Sequence, residues 1–173
     1  MQQNNNEPKR SILEDYLPRP KPRKTPKARY IKPKSVKQLE EDHMRWKCRN
    51  KKYPDMPEFK NMFRDDTANG LTDCIKCWLT INGYFAARVN TQGTYSKKLG
   101  RYIKSGATKG MADITSVING RHVSIEVKIG KDKPRELQLQ RQKEIEAAGG
   151  VYIFVKSLDN FLEQVENMLH NIK

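Results

Sequence analysis

Residues 110–128, Gly-Met-Ala-Asp-Ile-Thr-Ser-Val-Ile-Asn-Gly-Arg-His-Val-Ser-Ile-Glu-Val-Lys, constrain the chain more than any other stretch. Two alternating runs flank Asn119-Gly120, and Asn-Gly between such runs is the strongest short-range signal for a two-residue type I′ hairpin. Such a turn fixes the register. Ile118 faces Arg121, Val117 faces His122, and Asp113 comes to lie opposite Glu126. Directly opposed side chains have Cβ atoms roughly 4.5–5.5 Å apart. Because side chains alternate along a strand, Asp113, Thr115, Ser124, Glu126 and Lys128 share one face. Ala112, Ile114, Val123, Ile125 and Val127 share the other, toward a core.

Opposed carboxylates repel and destabilise a sheet unless something compensates. A hard divalent cation is the natural candidate, since Mg²⁺ commonly sits on one or two carboxylates plus phosphate and water. Lys128 emerges beside the two acids as a fixed positive charge. Two acids and a lysine on one strand face, in a basic protein, suit metal-assisted attack on a phosphodiester. The alternative is a solvated polar face on an ordinary antiparallel hairpin.

Gly110-Met111-Ala112-Asp113, Ile125-Glu126-Val127-Lys128, a following helix with Gln138, and Ala148-Gly149-Gly150-Val151-Tyr152 together resemble the PD-(D/E)XK nuclease superfamily. Within it, the likeness is to VRR-NUC and Holliday-junction-resolvase-type domains of phages and mobile elements, over roughly residues 66–163. The resemblance implies a restriction-endonuclease-like α/β core, a mixed central sheet flanked by helices. It implies Mg²⁺ or Mn²⁺ held by Asp113, Glu126 and the main-chain carbonyl of Val127. Lys128 would orient a water or stabilise transition-state charge, and Gln138 would position Lys128 or a phosphate. Gly110 would let the strand approach the substrate. Such domains often carry an acid on the first helix, for which Asp73, with Asn69 nearby, is the candidate here. The implied activity is phosphodiester hydrolysis of nucleic acid, DNA ahead of RNA. Junction resolvases of similar fold also bring a homodimer into view as a partner. The rival reading is a catalytically inactive nucleic-acid-binding module on the same fold.

Charge agrees with a polyanionic partner: the net charge is +14, the profile of a protein that meets nucleic acid. A membrane is not the expected partner, for no apolar stretch approaches the roughly 18 residues a spanning helix needs. The N-terminus has no apolar signal region, so a cytoplasmic setting is expected. Cys48, Cys74 and Cys77 give no disulfide framework. With His43 they could supply four zinc ligands, or serve as small buried hydrophobes.

Residues 1–60 are expected to be a basic, proline-rich tail with a loosely attached helix, and 61–173 the α/β domain. Residues 1–38 carry eleven Lys/Arg against three acids and six of the nine prolines. That composition reads as an extended or disordered arm that adds phosphate contacts, or as a solubilising tail. Ser35-Val-Lys-Gln38 reads as a capping box that starts a helix at Val36. Leu71, Ile75, Trp78 and Leu79 predict a helix over 68–81, and residues 84–89 a strand. Residues 90–109 show no period and read as a long loop. No acid falls between Asp73 and Asp113, while Arg88, Lys97, Lys98, Arg101, Lys104 and Lys109 do, with Tyr95 and Tyr102 among them. Those cations are the candidate nucleic-acid contacts; a surface loop charged only for solubility is the alternative. Asp132 is expected to cap the helix carrying Gln138, residues 151–155 to form a buried strand, and Ser157 to cap a last helix.

Overall fold

The Asn119-Gly120 turn forms as the sequence dictates. In the computed structural model, which describes residues 29–51, 60–89, 93–103 and 108–170, their φ angles are 49° and 78°, both in the left-handed region a type I′ turn needs. In chain order the elements are α1 (Lys34–Arg49), α2 (Ala68–Ile81), β1 (Phe85–Arg88), β2 (Thr94–Ser96), β3 (Arg101–Ile103), β4 (Ile114–Ile118), β5 (Arg121–Val127), α3 (Glu136–Ala147), β6 (Val151–Val155) and α4 (Leu158–His170). The fold is α/β. Its main sheet runs β1-β4-β5-β6, with β1–β4 and β4–β5 antiparallel and β5–β6 parallel. A parallel neighbour requires a crossover, and α3 is that crossover.

The β4–β5 ladder pairs Ile114 with Ile125 and Ile118 with Arg121. One step beyond it, Asp113 opposes Glu126. Ile114, Ile118, Val123, Ile125, Val127 and Val155 pack against Leu71, Ile75 and Leu79 of α2 and Leu158, Phe161 and Val165 of α4. Ser116 shares this face, and its hydroxyl is satisfied by the Val123 carbonyl at 3.0 Å. Asn82-Gly83 stops α2, with Gly83 at φ 78°. Ser157 caps α4 through the Asn160 N–H at 3.1 Å.

Four expectations need correction. First, α1 belongs to the core: Val36 and Leu39 are buried in the same cluster as the sheet. Its apolar positions are sparse because a carboxylate does part of the anchoring. Glu40 is buried, accepts the Phe63 N–H at 2.8 Å and pairs with Lys32 and Lys60. Burial opposes its ionisation, but these partners outweigh burial and hold its pKa below the usual carboxylate range. Second, the capping box expected at 35–38 does not form. Pro33 is the N-cap, its carbonyl accepts the Lys37 N–H, and Ser35 lies inside the first turn. Third, residues 90–109 are not all loop. They hold the hairpin β2–β3, in which Tyr95 opposes Tyr102; three-residue strands are too short to show a period. Fourth, the N-cap of α3 is Arg135, not Asp132.

The arm before residue 29 and Lys104 lie outside the described residues. Among the described residues no helix is long and apolar enough to cross a membrane.

Candidate active site

The polar face of the β4–β5 hairpin is exposed near the turn, at Val117 and His122, and covered at its far end. Because α3 crosses over it, Glu126 and Lys128 are 5 % and 3 % exposed. Lys128 Nζ lies 3.1 Å from Glu126 Oε1 and 3.4 Å from Asp132 Oδ2. Asp132 is therefore the lysine's second counter-ion, a role its sequence position did not suggest.

Gln138 ties helix to strand. Its Nε2 donates to Glu126 Oε1 at 2.6 Å, while its Oε1 accepts the Arg135 N–H at 3.0 Å. Both ends of the amide are thus used, which fixes its orientation. The expectation that Gln138 positions Lys128 needs amending: the side chain it holds is Glu126.

Asp113 sits where β4 begins. Its Oδ2 accepts the Val127 N–H at 3.0 Å, and its carbonyl accepts the Val89 N–H at 2.8 Å. On a strand the N–H and C=O of one residue point to the same edge, so the Val127 carbonyl is directed to the Asp113 side. Burial first, and then the Asp113 charge, push the Glu126 pKa above the usual carboxylate range, against the pull of Lys128 and Gln138.

Asp113, Glu126, Val127, Lys128, Gln138 and Lys109 line one cleft of about 540 Å³. The residue that α2 contributes there is Ala68. Asp73 instead faces a separate cleft beside Asn61 and Phe63, and Asn69 accepts from Arg88 at 2.7 Å. Neither completes the acid pair. Among the described residues no three His, Cys, Asp or Glu side chains converge. Two carboxylates on an open cleft still fit Mg²⁺, which retains waters and takes phosphate oxygens as its other ligands. The candidate zinc set does not assemble: among the described residues His43, Cys48, Cys74 and Cys77 form no converging group, with Cys74 buried in the core and Cys48 exposed.

Gly110 adopts φ 79°, and a Cβ there would meet the Leu137 carbonyl oxygen at 2.8 Å. The close approach that needs glycine is to α3. Lys97, Lys98, Arg101 and Lys109 are exposed, as is Arg88. Arg135 also lines the cleft and Tyr152 lies behind Glu126; sequence reasoning missed both. Burial, then the charges of Glu126 and Asp113, raise the Tyr152 pKa. Only the β5–β6 register, which sets Tyr152 beside Ser124 on the Glu126 face, could have exposed that neighbour.

No family model matches the chain, and no curated protein matches it in sequence.

Proposed function

We propose that the chain is a metal-dependent nuclease, hydrolysing phosphodiester bonds of nucleic acid, DNA ahead of RNA, on a restriction-endonuclease-like core of PD-(D/E)XK type. One observation carries the reading: Lys128 is buried 3.1 Å from Glu126, which opposes Asp113 on an open cleft. Burying such charges costs several kcal/mol per ion, and a surface that only binds polyanions gains nothing from acids at its centre.

Asp113, Glu126 and the Val127 carbonyl would hold Mg²⁺ or Mn²⁺. A divalent cation there supplies positive charge that acidifies water and offsets charge growing on the phosphate. Lys128 keeps a second positive charge in place, worth most where negative charge is greatest, in the transition state. Gln138 locks Glu126 into one orientation, so little reorganisation is needed during reaction. Lys109 lines the cleft, and Arg88, Lys97, Lys98, Arg101 and Lys104 would neutralise phosphates of the bound strand. The reading puts this chemistry in the cytoplasm, on nucleic acid and away from membranes, in a monomer or a homodimer.

The test is incubation of the full chain with labelled junction, flap, duplex and single-stranded substrates in Mg²⁺, Mn²⁺ or Ca²⁺. Cleavage in Mg²⁺ or Mn²⁺ that stops on chelation is the expected result. Binding without cleavage in every metal would replace the nuclease reading with an inactive nucleic-acid-binding module.

A further inference from the structure

Between β1 and Asp113 the chain makes a detour that the sheet does not need. Residues 94–103 form a small antiparallel hairpin with its own register: Thr94 with Ile103, Tyr95 with Tyr102, Ser96 with Arg101. Among the described residues, neither of its strands packs on any other helix or strand. The described residues that precede and follow it in sequence lie near the cleft. Val89 donates to the Asp113 carbonyl, and Lys109 lines the cavity. Covalent reach alone keeps Gly93 within roughly 15 Å of Val89.

Directly opposed residues share a face, so Tyr95 and Tyr102 form one patch. Their ring centroids are 6.2 Å apart and tilted by 55°. Among the described residues nothing covers them, for they are 54 % and 69 % exposed. A chain that buried these rings would gain stability, so their exposure asks for an occupant. The surroundings define its charge. Lys97, Lys98 and Arg101 stand on the same hairpin, and no acid occurs from Cys74 to Ala112. An occupant that offers flat apolar faces on a polyanionic backbone is a nucleic acid with unpaired bases. A duplex would satisfy the cations but hide its base faces inside the stack.

We propose that the 94–103 hairpin is a base-stacking element that directs the cleft to nucleic acid carrying unpaired bases beside the cut: flaps, junctions or single-stranded segments. The proposal rests on the nuclease reading for the word "cut", and on the hairpin alone for base stacking. Lys97, Lys98 and Arg101 hold the backbone without regard to structure, and Tyr95 and Tyr102 make the distinction between paired and unpaired.

The experiment measures binding of the full chain in EDTA to duplex, flap and single-stranded oligonucleotides carrying 2-aminopurine. Quenching of unpaired 2-aminopurine, and little in duplex, is expected. Tyr95→Ala and Tyr102→Ala should each weaken binding of the unpaired substrates by roughly tenfold, with duplex affinity nearly unchanged. Tyr95→Phe and Tyr102→Phe should restore binding, because stacking needs the ring and not the hydroxyl. Charge removal at Lys97 and Lys98 should weaken all substrates alike and lower the salt slope. Equal losses on duplex and unpaired substrates, or no quenching, would overturn the proposal. So would alanine variants that alter sedimentation instead, since the patch would then be a seam between two copies. A protein that stacks bases but cuts nothing in Mg²⁺ would retain the hairpin's role and lose the nuclease reading. One that cuts every substrate equally, with or without the tyrosines, would do the reverse.

Discussion

Replacing Lys128 by Met removes the positive charge nearest two acids that face one another across the hairpin. At 3.1 Å and an effective dielectric of about 20, the Lys128–Glu126 attraction is about 5 kcal/mol before desolvation. Asp132 adds little, because its side chain is 48 % exposed. Breaking a buried pair from one side costs about 3–5 kcal/mol. At about 3 °C per kcal/mol for a chain of this size, Tm should fall by roughly 10 °C at neutral pH in EDTA. The loss should depend on pH. The folded pKa of Glu126 lies above its unfolded value, so between the two the folded state holds more proton and stability falls as pH rises. Without Lys128 that folded pKa climbs further, and acidification should return about 1.4 kcal/mol per pH unit. A Lys128→Met/Glu126→Gln double variant, with no buried carboxylate to strand, should recover most of the Tm. Thermal melts of the three proteins from pH 5 to 8 decide the matter. A Lys128→Met loss that is absent, independent of pH, or unrelieved by Glu126→Gln would refute the buried ion pair.

The structure also limits how the basic arm is tested. Removing residues 1–28 should flatten the salt dependence of nucleic-acid binding and leave Tm unchanged, whereas removal through residue 38 deletes Val36, worth about 1.5–3 kcal/mol of burial, and should lower Tm by at least 5 °C. Glu40→Gln should cost about 2 kcal/mol at neutral pH. Because the folded pKa of Glu40 is depressed, its contribution is present above the unfolded value and fades as pH falls through the folded one, so the two proteins' melting temperatures should converge in acid. Gly110→Ala forces a side chain into φ 79° and against the Leu137 carbonyl, and should cost about 1–3 kcal/mol in a chemical denaturation series.

What could be read from the chain follows the range of each interaction. The β4–β5 register was legible because a two-residue turn is local, and it brought Asp113 against Glu126 before any tertiary contact was known. β6 and α4 announced themselves by an apolar run and an apolar stripe. The anchoring of α1 did not, since Glu40 stands in for an apolar residue and one of its partners, Phe63, is 23 residues away. The crossover helix α3 hides its role for a similar reason. The side chains it turns inward are Gln138, Arg141, Gln142 and Ile145, while Leu137 and Leu139 are exposed. A helix that covers a polar strand face shows no hydrophobic period. Asp73 drew attention as the acid of the first helix, yet the helical position at the cleft is one turn earlier, at Ala68.

The central claim is that Asp113, Glu126 and Lys128 act together on a phosphodiester. Single-turnover cleavage of a labelled flap or junction in Mg²⁺, by wild type and Glu126→Gln, tests it most directly. The substituted amide would keep the shape and the Gln138 contact but bind the cation poorly, so the rate should fall by roughly 10²-fold or more. Because Lys128 loses its buried partner, apo Tm should fall as well, and the rates are compared at a temperature where both proteins are folded. A folded Glu126→Gln protein that cuts at the wild-type rate would contradict the account.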